Sequence, residues 1–395
     1  MTHIVKLKKG REKSAMHRHP WIYSGAIDSI DGEPEPGELV TVVDQSGAFL
    51  ATGYYNAASK IRVRVLEWDP LVKIDEGWWR TRIERSIAAR ADICEKNDTT
   101  GCRLIHAEAD LLPGLIADRY GDVVVIQVLT AGVEAVRDIV VDEIKTRTGA
   151  AAVFERSDTA SRVREELRAS SGWIFGEARE AVTFRENGFD FTANVMTGQK
   201  TGFYCDQRDN RMAVASYAAE RSVLDGFSYS GAFSVYAARA GATSLTLVDS
   251  SGAALEAAKL NLEKNGFASL DSEFVDADVF EQLRRFRKEG RKFGMVILDP
   301  PKFALNRHQV DKALRAYKDV NMLAMELLEP GGILATFSCS GAVTIDAFTI
   351  SVSWAGNDAN RSVQILTRLS QAADHPVLAS FPESEYLKGL ICRIV

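Results

Sequence analysis

Over the first 70 or so residues, short β-branched or aromatic runs alternate with turn residues. The runs are Leu39–Val43, Phe49–Tyr55 and 61–66, punctuated by Asp31-Gly32, Pro36-Gly37 and Ser46-Gly47. This pattern predicts a small closed sheet or barrel. The period turns helical over 75–94, where Trp78, Ile83, Ile87 and Ile93 recur with Arg80, Arg82, Arg85 and Arg90 between them. Strands are expected over 114–118 and 123–129, joined by a turn at 119–122, then a helix over 133–146 and a strand over 152–155. Ala181–Glu186 and Phe189–Asn194 flank Asn187-Gly188, a strong hairpin signal.

From about residue 191 strands and helices alternate. Strands over 222–224, 244–248, 273–275, 295–298 and 332–337 are separated by helices over 232–240, 253–265, Val279–Lys288 and 308–328. Two late strands are expected near 376–381 and 390–394. Such alternation predicts an open, mostly parallel sheet with helices on both faces, whose ligands bind at the carboxyl ends of the strands.

Composition narrows the classes. With 46% hydrophobic and 26% charged residues, the chain is neither disordered nor fibrous. No apolar run reaches the ~18 residues of a membrane helix. The opening MTHIVKLKKGREKS has no apolar stretch behind its basic residues, so a cytoplasmic location is expected. Five cysteines (94, 102, 205, 339, 392) form no C-x-x-C, so neither zinc nor disulfides are expected. Net charge is −6, yet Lys6, Lys8, Lys9, Arg11, Lys13 and Arg18 face only Glu12 within the first 20 residues. A basic arm on an acidic body suits a protein that meets phosphates with one end.

Candidate chemistry collects just after the strands. The first runs into Asp225-Gly226-Phe227-Ser228-Tyr229-Ser230-Gly231, where Ser230, Gly231 and the following helix N-terminus let a ligand approach the backbone. The glycines are five apart, so this is no dinucleotide fingerprint. Asp249 after the second strand suits ribose hydroxyls, and Asp278 after the third suits an adenine amine. An acid in such a place is more often a helix cap. Together, without phosphate-binding glycines, the three favour an adenosine ligand such as S-adenosylmethionine.

The fourth strand ends in Asp299-Pro300-Pro301-Lys302-Phe303 and the fifth in Ser338-Cys339-Ser340-Gly341. Neighbouring strands would put Cys339 and the Asp-Pro-Pro loop around one pocket, with the Asp299 side chain facing a substrate. A thiolate near a cation such as Lys302 can add to carbon-6 of a pyrimidine and make carbon-5 nucleophilic.

KTGFYCDQR (200–208), VLDGFSYSGAFS (223–234), LDPPKF (298–303), YKDVNMLA (317–324) and TFSCSG (336–341) resemble the bacterial large-subunit rRNA cytosine-C5 methyltransferases of the type called methyltransferase I. KGREKSAMHRHPWIYSGAI (9–27) is similar to that family's PUA domain, and DHPVLASFPESEYLKG (374–389) carries the likeness to the end. The resemblance implies a β-barrel PUA domain (1–72), a small α+β linker domain (73–190) and a doubly wound class I methyltransferase domain with a seven-stranded sheet (191–395). It implies S-adenosylmethionine as cofactor, 23S rRNA of the large subunit or its precursor as partner, and no metal. Cys339 matches the nucleophile; Asp225, Asp249 and Asp278 match donor positions; Lys200, Thr201, Gln207 and Arg208 match the element before the first strand. Lys8, Lys9, Arg11, Arg18 and Lys388 are then the expected RNA contacts. Where many RNA cytosine-C5 methyltransferases carry a second cysteine, this chain has Lys302, which leaves the base for the carbon-5 proton open. The helix implied after Cys339 falls on TIDAFTISVSWAG, a poor helix former. A purine methyltransferase, which needs no thiol, and a non-catalytic RNA-binding assembly factor are the alternatives.

Neutralising Lys8, Lys9 and Arg11 together should weaken RNA binding and reduce its salt slope by roughly 0.7–0.9 per lost phosphate contact. Filter binding across a salt series measures this. A slope equal to the parent's would show the arm to be merely solvated.

Overall fold

The computed structural model describes residues 3–96 and 98–395; Met1, Thr2, Asn97 and the side chains of Cys94, Glu95 and Lys96 lie outside the described residues. Two compact units form: Met1–Gly188 with Ala193–Cys205 and Asp374–Ser384, and Phe189–Thr192 with Asp206–Ala373 and Glu385–Val395.

The two larger sheets of the N-terminal half lie in the first unit. A six-stranded one runs in the order Trp21–Tyr23, Ile61–Glu67, Phe49–Tyr55, Leu39–Val43, His3–Leu7, Ile27–Asp31. Ile22 from one edge and Ile27 and Ile30 from the other share one core with Val5, Val40 and Val63, so the sheet wraps upon itself. The second sheet has the order Ser171–Phe175, Ala152–Arg156, Val123–Val128, Leu115–Tyr120, Gly101–His106. The helix expected over 75–94 divides into Glu76–Ala88 and Ala91–Lys96. Between them Arg90 turns inward and makes two 2.8 Å bonds to Asp110. The helix expected over 133–146 likewise divides, into Ala131–Glu134 and Arg137–Thr148. Gly101–His106 and Ser171–Phe175 were not anticipated from the pattern.

In the second unit the strand–helix alternation becomes β1 (Ser222–Gly226), α1 (Ala232–Arg239), β2 (Ser244–Asp249), α2 (Gly252–Lys264), β3 (Ser272–Asp276), α3 (Val279–Lys288), β4 (Phe293–Leu298), α4 (Val310–Leu327) and β5 (Leu328–Ser338). α5 (Ile345–Asp358), β6 (Val363–Leu369) and β7 (Lys388–Ile394) complete it. The sheet order is β3-β2-β1-β4-β5-β7-β6, with only β7 antiparallel to its two neighbours. This is a doubly wound class I methyltransferase sheet, as expected. Every residue of β4 is buried, the mark of a strand covered on both faces. Gly226 pairs with Val248 and Leu298, and Leu298 with Thr336, so the chain leaves β1, β2, β4 and β5 at nearly one level.

Two expectations need correction. The segment 376–381 is no strand: it lies between Pro376 and Pro382 and makes only the isolated bridge Leu378–Phe381. The missing edge strand is β6, partly buried, whose pairing with β7 shifts register between Ile365 and Thr367, where the apolar pair Ile365-Leu366 breaks its alternation. After Cys339 the β-branched segment is helical all the same. Phe348, Ser351, Val352, Ala355 and Gly356 recur at helical spacing and are buried in α5, and burial outweighs propensities of a few tenths of a kcal/mol per residue.

Thr344 caps α5 by accepting the Ala347 N–H at 3.2 Å. Thr344→Ala should therefore cost about 1 kcal/mol, read as a lower urea midpoint at unchanged slope. An unmoved midpoint would mean that the cap adds nothing to the buried face.

Candidate active site

Most candidate side chains of the second unit hang from strand ends. In the β1–α1 loop, Phe227 (φ 63°), Tyr229 (φ 46°) and Gly231 (φ 69°) all adopt the left-handed region. Two non-glycine residues there store strain, which persists only where surroundings over-determine it. They do here. Phe227 and Ser228 N–H both donate to the Val248 carbonyl, Tyr229 N–H donates to Asp249 Oδ2 at 2.9 Å, and Asn261 Nδ2 donates to the Ser230 carbonyl. A Cβ on Gly231 would come within 2.7 Å of Ala258 Cβ, so its glycine serves α1–α2 packing as well as the turn.

Asp225 is 1% exposed and accepts from Ser234 Oγ at 2.7 Å. Burial pushes its carboxyl up to about 7, with the charges of Asp299 and Asp249 adding to the rise. Asp249 accepts from Tyr229 and Ser251 N–H, so it organises the loop besides facing the strand ends. Asp278 caps α3, accepting the Glu281 N–H at 3.0 Å, and is exposed. Gln207 and Arg208 are buried where the unanticipated helix Arg208–Ala215 begins. Lys200 and Thr201 belong to the first unit. There Thr201 Oγ1 donates to Asp118 Oδ2 at 2.5 Å and meets the Tyr120 hydroxyl, while the Lys200 ammonium lies 4.2 Å from the Tyr204 ring centre.

The loops after β4 and β5 do meet. Cys339 Sγ lies 3.8 Å from the Pro300 carbonyl oxygen and is partly exposed. Its neighbours are fixed: Ser338 Oγ donates to the Tyr317 hydroxyl at 2.9 Å, Ser340 Oγ lies 3.1 Å from that hydroxyl, and Ala304 N–H donates to Ser340 Oγ at 3.1 Å. Tyr317, in α4, also packs against Phe303, ring centres 4.8 Å apart. The sequence alone assigns Tyr317 no role, although a tyrosine on an apolar helical stripe with Ala313, Val320 and Ala324 has a hydroxyl to satisfy. Asp299 is partly exposed and Lys302 exposed on the same loop.

Residues 109–391 match the S-adenosylmethionine-dependent methyltransferase family, and residues 5–68 a PUA-like domain. Ribosomal RNA large subunit methyltransferase I of Shewanella denitrificans is 45% identical over 392 residues, 99% of each chain. The chain belongs to the ribosomal RNA large subunit methyltransferase I family. The Aliivibrio fischeri member is 44% identical over 396 residues, 100% of each chain. A candidate methyltransferase solved with S-adenosylhomocysteine shares the fold over 100% of both chains (TM-score 0.86, 23% identity).

S-adenosylmethionine is the cofactor of this large subunit methyltransferase I chain, and the residues present fit it. Asp225 Oδ1, Ser228 Oγ and Gln207 Nε2 are buried polar atoms with no hydrogen-bond partner among the described residues. Such atoms call for a polar ligand. Among the described residues no cluster of His, Cys, Asp and Glu could hold a metal ion, and no helix is long and apolar enough to cross a membrane.

The expected RNA contacts divide. Lys8, Lys9, Arg11 and Arg18 are exposed in the first unit, with Lys8 Nζ donating to the Gly25 carbonyl. Lys388 departs from the expectation of a surface contact. It is 4% exposed, and its ammonium donates to the Ser340 and Tyr386 carbonyls.

A cationic donor prefers ionised Asp225, so donor affinity should fall as pH falls through about 7, by at most about tenfold per pH unit. The same shift, from 3.8 unfolded to about 7 folded, makes the donor-free fold lose stability as pH rises across that window. Calorimetry at several pH values, with Asp225→Asn as the control whose pH dependence is flattened, checks this. A pH-independent dissociation constant in the parent would refute it.

Proposed function

We propose that this protein methylates carbon-5 of a cytidine in 23S rRNA, with Cys339 as the nucleophile. The observation that carries the reading is Cys339 beside the Pro300 carbonyl, on a loop fixed by Ser338, Ser340 and Tyr317. The names of the full-length relatives, all large subunit rRNA methyltransferases, support the substrate class, as does the exposed basic arm of the PUA-like region. A ribosomal substrate also fits a cytoplasmic location.

Bound S-adenosylmethionine supplies an electrophilic sulfonium methyl. The chain's residues supply the rest. Asp225, Ser228 and Gln207 would satisfy the donor's polar groups, while Asp249 and Asp278 stand at the neighbouring strand ends. Carbon-5 of a cytosine is a weak nucleophile, and the Cys339 thiolate remedies this by adding to carbon-6, which places electron density on carbon-5. After carbon-5 is methylated, its proton leaves and the sulfur departs, restoring the aromatic ring. Asp299 and Lys302 flank the thiol on the β4 loop. The target base must be flipped out or already unpaired to reach the cysteine. A purine methyltransferase would need no thiol here.

Cys339→Ala should keep the fold and donor binding yet lose methylation almost completely, whereas Cys205→Ala should lose little. RNA with 5-fluorocytidine at the target should trap the parent and Cys205→Ala covalently, since fluorine cannot leave as a proton, and should not trap Cys339→Ala. Full activity in Cys339→Ala would remove the cytosine-C5 reading.

A further inference from the structure

Lys388, the first residue of the interior strand β7, is an unusual residue to bury. Strand β7 pairs it with Ser338 of β5, the residue just before Cys339. Its Nζ donates to the Ser340 carbonyl at 2.8 Å and the Tyr386 carbonyl at 2.9 Å. Both acceptors are neutral, and among the described residues no carboxylate lies within ion-pair distance of it. A buried ammonium without a counter-ion is costly, and a hydrophobic residue would fill the same space more cheaply. A counter-ion beside it changes that balance. Cys339 lies between the residue that Lys388 faces across the sheet and the residue whose carbonyl it holds.

We propose that Lys388 is the positioning residue of Cys339: its ammonium clamps the Ser340 carbonyl on one side of the cysteine and stabilises the thiolate by its charge. This rests on Cys339 being the nucleophile.

The electrostatics agree. Burial brings Lys388 down to about 8, while Cys339 and Glu385 favour its charged form and Lys302 opposes it. On the α4 side, burial raises the Tyr317 hydroxyl above its ordinary value, and the charges of Cys339 and Asp299 add to the rise. Coupling is reciprocal, so an ammonium favoured by the thiolate favours that thiolate equally. Lys302, the cation suggested by the sequence, is exposed, and solvent screens it. Lys388 acts from inside the sheet, where screening is weak.

Alkylation of Cys339 by iodoacetamide, followed by peptide mass mapping of the full-length protein across a pH series, reads the thiolate directly. Lys388→Gln keeps two N–H donors for the carbonyls but removes the charge; Lys388→Met removes both; Lys388→Arg keeps the charge. The alkylation midpoint should rise by about one pH unit in Lys388→Gln and Lys388→Met, making the reaction about tenfold slower near neutral pH. Lys388→Arg should stay close to the parent. A folded Lys388→Gln protein with the parent's midpoint overturns the assignment. Should Lys388→Met and Lys388→Gln both fail to fold, the parent and Lys388→Arg remain informative: a parent midpoint at the ordinary thiol value of about 8.5 overturns it too. Trapping by 5-fluorocytidine RNA separates the two readings. A parent that forms no adduct removes the nucleophile and this assignment together, whereas an adduct with an unmoved midpoint removes this assignment alone.

Discussion

The Tyr317 hydroxyl is the constraint on which the site depends. It joins Ser338 and Ser340, one on each side of Cys339, and Ser340 in turn receives the Ala304 amide from the Asp-Pro-Pro loop. One buried phenol thus ties α4, the end of β5 and the loop after β4 into a single network. Such networks are stiff when complete and costly when broken, because each orphaned buried group loses about 1–3 kcal/mol. The cysteine between the two serines inherits that rigidity. In the proposed reaction, a cysteine held in one geometry spends less of the barrier on orientation.

The proposed donor side is built on the opposite plan. Around Asp225 the backbone is strained at Phe227 and Tyr229, and buried polar atoms have no hydrogen-bond partner among the described residues. Hydrogen bonds from the loop to Val248 and Asp249 hold that strain in place. A fold accepts such a region when a ligand completes it. One end of the sheet therefore carries a finished network beside an unfinished one, at neighbouring strand ends.

Burial tunes both. It drives the Asp225 carboxyl up to about 7 and the Lys388 ammonium down to about 8, so an acid and a base that would ordinarily be far from titration stand near neutrality. The physical cause is the same for each: removal from water disfavours the charged form. Cys392, on β7 within a buried apolar cluster, shows the contrast, with its thiol pushed up to about 12 by burial. What distinguishes Cys339 is partial exposure and the charged company around it.

Much of this was legible in the residue order. The strand–helix alternation after residue 191 gave the doubly wound sheet, because the period of apolar positions is a local property that follows directly from backbone geometry. The strand ends followed, and with them Asp225, Asp249, Asp299 and Cys339. The tertiary structure decided the remainder. TIDAFTISVSWAG is helical because distant residues bury one of its faces, and 376–381 is not a strand because it makes only one isolated bridge. Lys388 reads as a surface cation in sequence and is buried only because β7 returns to pair with β5, 50 residues earlier in the chain. Tyr317 acquires its role from three segments that no local window contains. Period and turn chemistry are written in neighbouring residues, whereas burial and hydrogen-bond partners depend on which distant segments arrive.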